Sequence, residues 1–206
     1  MDLIYIFGLL ATAAFAASGV LAALGKRIDL FGAVVVAVVT AVGGGTLRDL
    51  ILNVPVFWLH DEAWLMVAVI TGGSAFLIRS RLDRHVNAIA YLDAMGVALV
   101  AAGALQKCME LELPGLHGVA LGVITGVGGG LVRDTLTSRD TLLVSPELYA
   151  TPIIFGLTSQ YLLERYLGIQ SLTALFIGGA LIFVFRALAI RFALRMPSTL
   201  VNKPRN

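Results

Sequence analysis

The heptapeptide GGGTLRD, Gly43 to Asp49, returns 85 positions later as GGGLVRD, Gly128 to Asp134, and each copy lies inside an apolar stretch. A glycine costs a helix roughly 1 kcal/mol relative to alanine, so the same triplet in two such stretches marks positions where an opened backbone or a missing side chain has a task. The repetition predicts a duplicated chain, and its surroundings place both copies in a membrane. Across 206 residues, 58% are hydrophobic and 14% charged, with a mean hydropathy of +0.90, far more apolar than a soluble domain of this length.

Composition also excludes several classes. The net charge of +2 comes from basic residues at helix ends and in the tail, without an aromatic-interleaved patch, so no nucleic-acid partner is expected. The single cysteine, Cys108, cannot form an internal disulfide, and His60, His85 and His117 fit no metal-ligand spacing; neither metal nor cofactor is expected. Leu3 to Gly19 imitates a signal peptide ending in small residues, but its first charge is Asp2 rather than Lys or Arg. The segment fits better as a first helix that stays in the mature protein.

Apolar runs near 3–23, 30–52, 62–79, 88–107, 115–137, 148–166 and 170–192 are each about 18 to 23 residues long, which suits a hydrocarbon core of about 30 Å. The fold class is therefore an all-α integral membrane protein with seven transmembrane helices. Superposing the triplets aligns Thr40 with Thr125, Arg48 with Arg133 and Asp49 with Asp134, which divides the chain into a three-helix repeat (1–87), a second one (88–168), and a seventh helix with a basic tail (169–206). Three spans per repeat is an odd number, so the second copy enters from the opposite side and the repeats are inverted. Eleven basic residues fall on the side of the C-terminus (Lys26, Arg27, Arg79, Arg81, Arg84, Arg133, Arg139, Arg191, Arg195, Lys203, Arg205) against Arg48, Lys107 and Arg165 on the other, with Arg186 set aside as within the last span. That bias predicts a cytoplasmic C-terminus and an outside N-terminus.

Helices 2 and 5 are expected to kink at Gly43, Gly44, Gly45 and at Gly128, Gly129, Gly130. Freed carbonyls there would present partial negative charge to a cation, with hydroxyls from Thr40, Thr46 and Thr125 nearby. The competing explanation is close helix packing through small residues. Arg48 with Asp49 and Arg133 with Asp134 follow by one turn. Charges at this depth require partners, so they serve as salt bridges between the halves, as groups at the pore mouths, or both. Asp93, in YLDAMG, is the acid in the fourth span without an adjacent base. It is a candidate cation attractor or protonation site, or else a helix-start carboxylate. Lys107 is expected to snorkel, Trp58, Trp64 and Tyr149 to sit in an aromatic belt, and Ala11 through Gly19 to offer a close-packing face. The basic tail favours anionic membrane lipids.

The doubled GGG-x-x-R-D motif, with RIDLFG (Arg27 to Gly32) and NVPVFWL (Asn53 to Leu59) around the first copy, DAMG at Asp93 and GVITGVGGG at Gly122, resembles the prokaryotic trimeric intracellular cation (TRIC) channels from about Ala11 to Ile190. That family has also carried a glycine-transporter label. The resemblance implies a homotrimer in a prokaryotic inner membrane, each protomer holding a potassium-permeable pore between inverted repeats whose second and fifth helices bend at the triplets. The function expected is passive conduction of potassium and sodium; the alternative is secondary transport of a small amino acid such as glycine. An enzyme is not expected, because no nucleophile elbow or metal cluster appears.

Overall fold

The computed structural model describes residues 3–24, 26–79, 87–141 and 147–197. These form seven long helices: α1 (Leu3–Ala23), α2 (Leu30–Ile51), α3 (Ala63–Leu77), α4 (Ala88–Glu110), α5 (Gly115–Leu136), α6 (Ala150–Leu167) and α7 (Ser171–Arg191), with a 3-10 turn at Phe57–Leu59. Each lies within three residues of a span expected from the apolar runs. By length and apolarity α1, α2, α4, α5 and α7 can each cross a membrane, whereas α3 is shorter and α6 carries Gln160, Glu164 and Arg165. Arg81, Arg84, Lys203 and Arg205, which contribute to the basic asymmetry, and His85 lie outside the described residues.

Local sequence explains the helix ends. Asp29 caps α2, its Oδ1 accepting the Gly32 N–H at 2.8 Å, which satisfies a donor that has no partner within the helix. Beyond α2, Asn53 takes φ 53°, and beyond α5, Ser138 takes φ 48°. The hydrogen bonds that close these turns match at the repeat spacing: Val54 N–H to Asp49 O at 3.0 Å, and Arg139 N–H to Asp134 O at 2.9 Å.

The helices alternate in direction, so side chains from distant parts of the chain gather at two faces. Tyr5 at the start of α1 meets Asp61 before α3, and Lys107 near the end of α4 meets Asp49 near the end of α2; this is the N-terminal face. Asp93 near the start of α4 meets Arg133 of α5, Tyr149 before α6 and Arg186 of α7 on the C-terminal face. Small residues let the helices close on one another. Ala11, Ala14, Ala16 and Ala22 are buried on α1, and a Cβ at Gly19 would lie 3.1 Å from the Val36 carbonyl oxygen of α2. Phe15 fills the centre against Gly96 of α4.

The triplets do not open the backbone. Both α2 and α5 run as uninterrupted α-helix through Gly43–Gly45 and Gly128–Gly130, which corrects the expectation of freed carbonyls. In lipid each unpaired backbone group costs several kcal/mol. Glycine acts here through its missing side chain.

Candidate functional site

The middle glycine of each triplet marks the place where α2 and α5 cross. A Cβ on Gly44 would collide with the carbonyl oxygen of Thr125, and a Cβ on Gly129 with that of Thr40. These two contacts exchange under the 85-residue shift, and their order along the chain makes the crossing antiparallel. A Cβ on Gly128 would lie 3.2 Å from Gly44 Cα, so the two backbones touch directly. Thr40 and Thr125 are both fully buried here, each donating its hydroxyl at 2.6 Å to the carbonyl four residues earlier, Val36 and Leu121. Thr46 lies higher on α2, donating to Val42 O at 2.8 Å and accepting from Trp58 Nε1 at 2.9 Å. The remaining glycines differ. Nothing lies within 4 Å of a Cβ at Gly43, Gly45 seats the Phe57 ring, and a Cβ at Gly130 would lie 2.9 Å from Asp93 Oδ1.

At the N-terminal face Asp49, fully buried, receives Arg48 through Nε and Nη2 and Lys107 Nζ, all at 2.8 Å on Oδ1, while Oδ2 accepts the Phe57 N–H at 3.0 Å. Lys107 thus binds a carboxylate on α2 instead of snorkelling alone, because the end of α4 packs where α2 ends. Trp58 is held by Thr46, and Trp64 packs edge-on against Tyr5 and Phe57 at centroid distances of 5.4 and 4.9 Å. Asp61, in the loop before α3, accepts the Tyr5 hydroxyl at 2.7 Å and the Ala63 N–H at 3.0 Å; the Tyr5 bond above all holds its carboxyl below the usual range.

At the C-terminal face Asp93 is not a lone acid. Its Oδ1 accepts Arg133 Nη1 at 2.8 Å, and its Oδ2 accepts the Tyr149 hydroxyl at 3.0 Å and lies 3.5 Å from Arg186 Nη2. Arg133 Nε also donates to Asp134 at 2.8 Å, and its Nη1 reaches Ser18 of α1 at 3.2 Å. The Arg186 guanidinium stacks 4.2 Å over the Tyr149 ring. Two carboxylates and two guanidiniums balance in a buried cluster, in which Arg133 Nη2 and Arg186 Nε keep no hydrogen-bond partner. Each Arg-Asp dipeptide therefore pairs with itself first and then reaches a different helix. Three residues read otherwise from sequence join this cluster. Tyr149 is a buried donor and not a belt residue, Ser18 is an acceptor as well as a packing residue, and Arg186 is a full partner. A lone arginine deep in an apolar span was the available signal, since such a charge needs an opposite one.

Comparison with known proteins adds independent findings. A family model described as Glycine transporter matches residues 5–80 and again 90–165, two matches offset by the same 85 positions. The UPF0126 inner membrane protein YadS of Escherichia coli (strain K12) is 38% identical over 200 residues, covering 95% of this chain and 96% of its own. A UPF0126 membrane protein of Vibrio cholerae is 37% identical over 204 residues, covering 98% and 85%. Among solved structures, the TRIC trimeric intracellular cation channel orthologue from Rhodobacter sphaeroides superposes with a TM-score of 0.89 at 28% identity, over 94% of this chain and 100% of that one. A prokaryotic TRIC channel gives 0.85 at 26% identity, over 94% and 98%.

Proposed function

The chain belongs to the multi-pass membrane-protein family described as Glycine transporter, is related to the UPF0126 membrane proteins, and has the fold of the TRIC cation channels; from that premise we propose that it is a passive potassium and sodium channel. Each protomer of a homotrimer carries its own pathway, between inverted three-helix repeats, with the N-terminus outside a prokaryotic inner membrane and the C-terminus in the cytoplasm. The observation that carries this reading is the antiparallel crossing at Gly44 and Gly129. Backbone carbonyls are the weak, multiple oxygen ligands that let an ion bind and leave, and those of Thr40 and Thr125 each face a glycine of the opposing helix with no Cβ between them. The packed crossing is a closed pathway, and bending of α2 and α5 at the triplets opens it without unwinding either helix.

Single-channel recording in planar bilayers under a potassium chloride gradient tests this. Wild-type protein gives unitary currents reversing near the potassium potential, Gly129→Leu gives none, and Gly43→Ala, which meets nothing within 4 Å, keeps them. A silent wild-type bilayer would sink the channel reading. The second reading, secondary transport of a small amino acid, is favoured by the Glycine transporter description and requires saturable uptake of labelled glycine into proteoliposomes.

A further inference from the structure

A cavity of about 280 Å³ opens at the N-terminal face and reaches down to Ala41 and Gly45, beside the crossing residues Thr40 and Gly44. Its chemistry is divided. The body is apolar, with Phe7, Leu99 and Leu175 among its walls, while Arg48, Lys107 and Glu110 line the mouth. Gln106 stands in the wall between them. It is only 5% exposed, and its Oε1 has no hydrogen-bond partner. Buried amide oxygens are normally paired, so an unpaired one in a cavity wall calls for a donor from whatever fills the cavity.

The charges narrow the choice of occupant. Asp49 lies beneath Arg48 and Lys107 and offsets one of these two cations, and Glu110 offsets the other, so the mouth is neutral but carries its signs at separate positions. A simple anion would gain the two cations while facing Glu110 and leaving Gln106 unpaired. A simple cation would gain Glu110 and Gln106 while facing Arg48 and Lys107. A zwitterion satisfies both sets. Its carboxylate meets Arg48 and Lys107, and its ammonium meets Gln106 Oε1 and Glu110. The apolar body then takes a hydrocarbon side chain, which glycine lacks.

We propose that this cavity binds a free α-amino acid with an aliphatic side chain. The inference rests on the cavity alone and holds whether the pathway passes ions or a solute. Trp64 lines the cavity and Trp58 does not, so a Trp58→Phe background leaves a single reporter at the site. Titrating the purified protein with L-leucine should produce a saturable change in Trp64 emission. Glycine, 4-methylpentanoate (the carboxylate without the ammonium) and isoamylamine (the ammonium without the carboxylate) should each bind about tenfold more weakly or worse, because each leaves part of the site unpaired or unfilled.

Gln106→Leu removes the unpaired acceptor at similar volume, so it should fold and melt as the parent does while leucine binding falls about tenfold or more. Leu99→Phe touches no polar group and fills the body, so it should also abolish the leucine response, and it keeps the test informative if Gln106→Leu fails to fold. No saturable response to leucine in the parent protein overturns the proposal. Equal binding of 4-methylpentanoate makes this an anion site, equal binding of isoamylamine an organic-cation site, and equal binding of glycine removes the role of the apolar body. Unchanged leucine binding in Gln106→Leu or in Leu99→Phe also overturns it.

Discussion

The two ends of the α2–α5 crossing carry the same Arg-Asp dipeptide and surround it differently. At the N-terminal face one buried carboxylate, Asp49, serves two cations whose side chains still reach solvent, Arg48 at 14% and Lys107 at 31% exposure. At the C-terminal face two carboxylates serve two guanidiniums that are sealed, Arg133 at 0% and Arg186 at 1%. The difference comes from what packs against each copy. The first meets the Phe57 turn and an open cavity. The second meets Tyr149 just before α6 and Arg186 of α7. A duplicated motif therefore gives one end whose cations reach solvent and one whose cations do not, which suits the proposed pathway if it is anchored at one end and adjustable at the other.

The largest expected effect lies at the sealed end. Asp93→Asn leaves Arg133 and Arg186 with Asp134 as the remaining carboxylate of the cluster described above and should cost about 3–5 kcal/mol, the range for breaking a buried pair. Thermal unfolding in detergent measures it, and an effect below that of Asp49→Asn would overturn the asymmetry. Asp49→Asn should cost less, about 1–3 kcal/mol, because its cations can turn to water while the Phe57 N–H keeps a neutral acceptor. Since those cations are solvent-accessible, the Asp49→Asn cost should shrink in added salt and the Asp93→Asn cost should not. Smaller again is Lys107→Met, at about 0–1 kcal/mol, since Arg48 remains on Asp49 and the methionine covers the same apolar surface.

The contrast between the ends also marks how far sequence alone reaches. Long apolar runs placed all seven helices, because a span of lipid sets their length and leaves little freedom at the ends. The triplets located the crossing but not its character: glycine is both flexible and small, and the uninterrupted α2 and α5 show that the packed crossing uses the smallness. Asp93 stood out as an acid without a neighbouring base, yet its partners lie 40, 56 and 93 positions away, distances that helical periodicity cannot resolve. Tyr149 misled for a related reason. At a span end, a tyrosine facing the lipid boundary and one turned inward to a carboxylate leave the same local sequence.

The smallest effect sharpens the comparison from the solvent side. Asp61 belongs to the N-terminal face, and the Tyr5 hydroxyl with the Ala63 N–H holds its carboxyl below the ordinary value. A group with a lowered folded-state pKa contributes stability above its unfolded pKa and loses it as pH falls through the folded value. Tyr5→Phe should therefore melt slightly below wild type at neutral pH, and the two melting curves should converge once the pH drops well beneath the ordinary carboxylate value. Curves that stay apart at low pH would show that the Tyr5 hydroxyl does not favour the ionised Asp61 carboxylate.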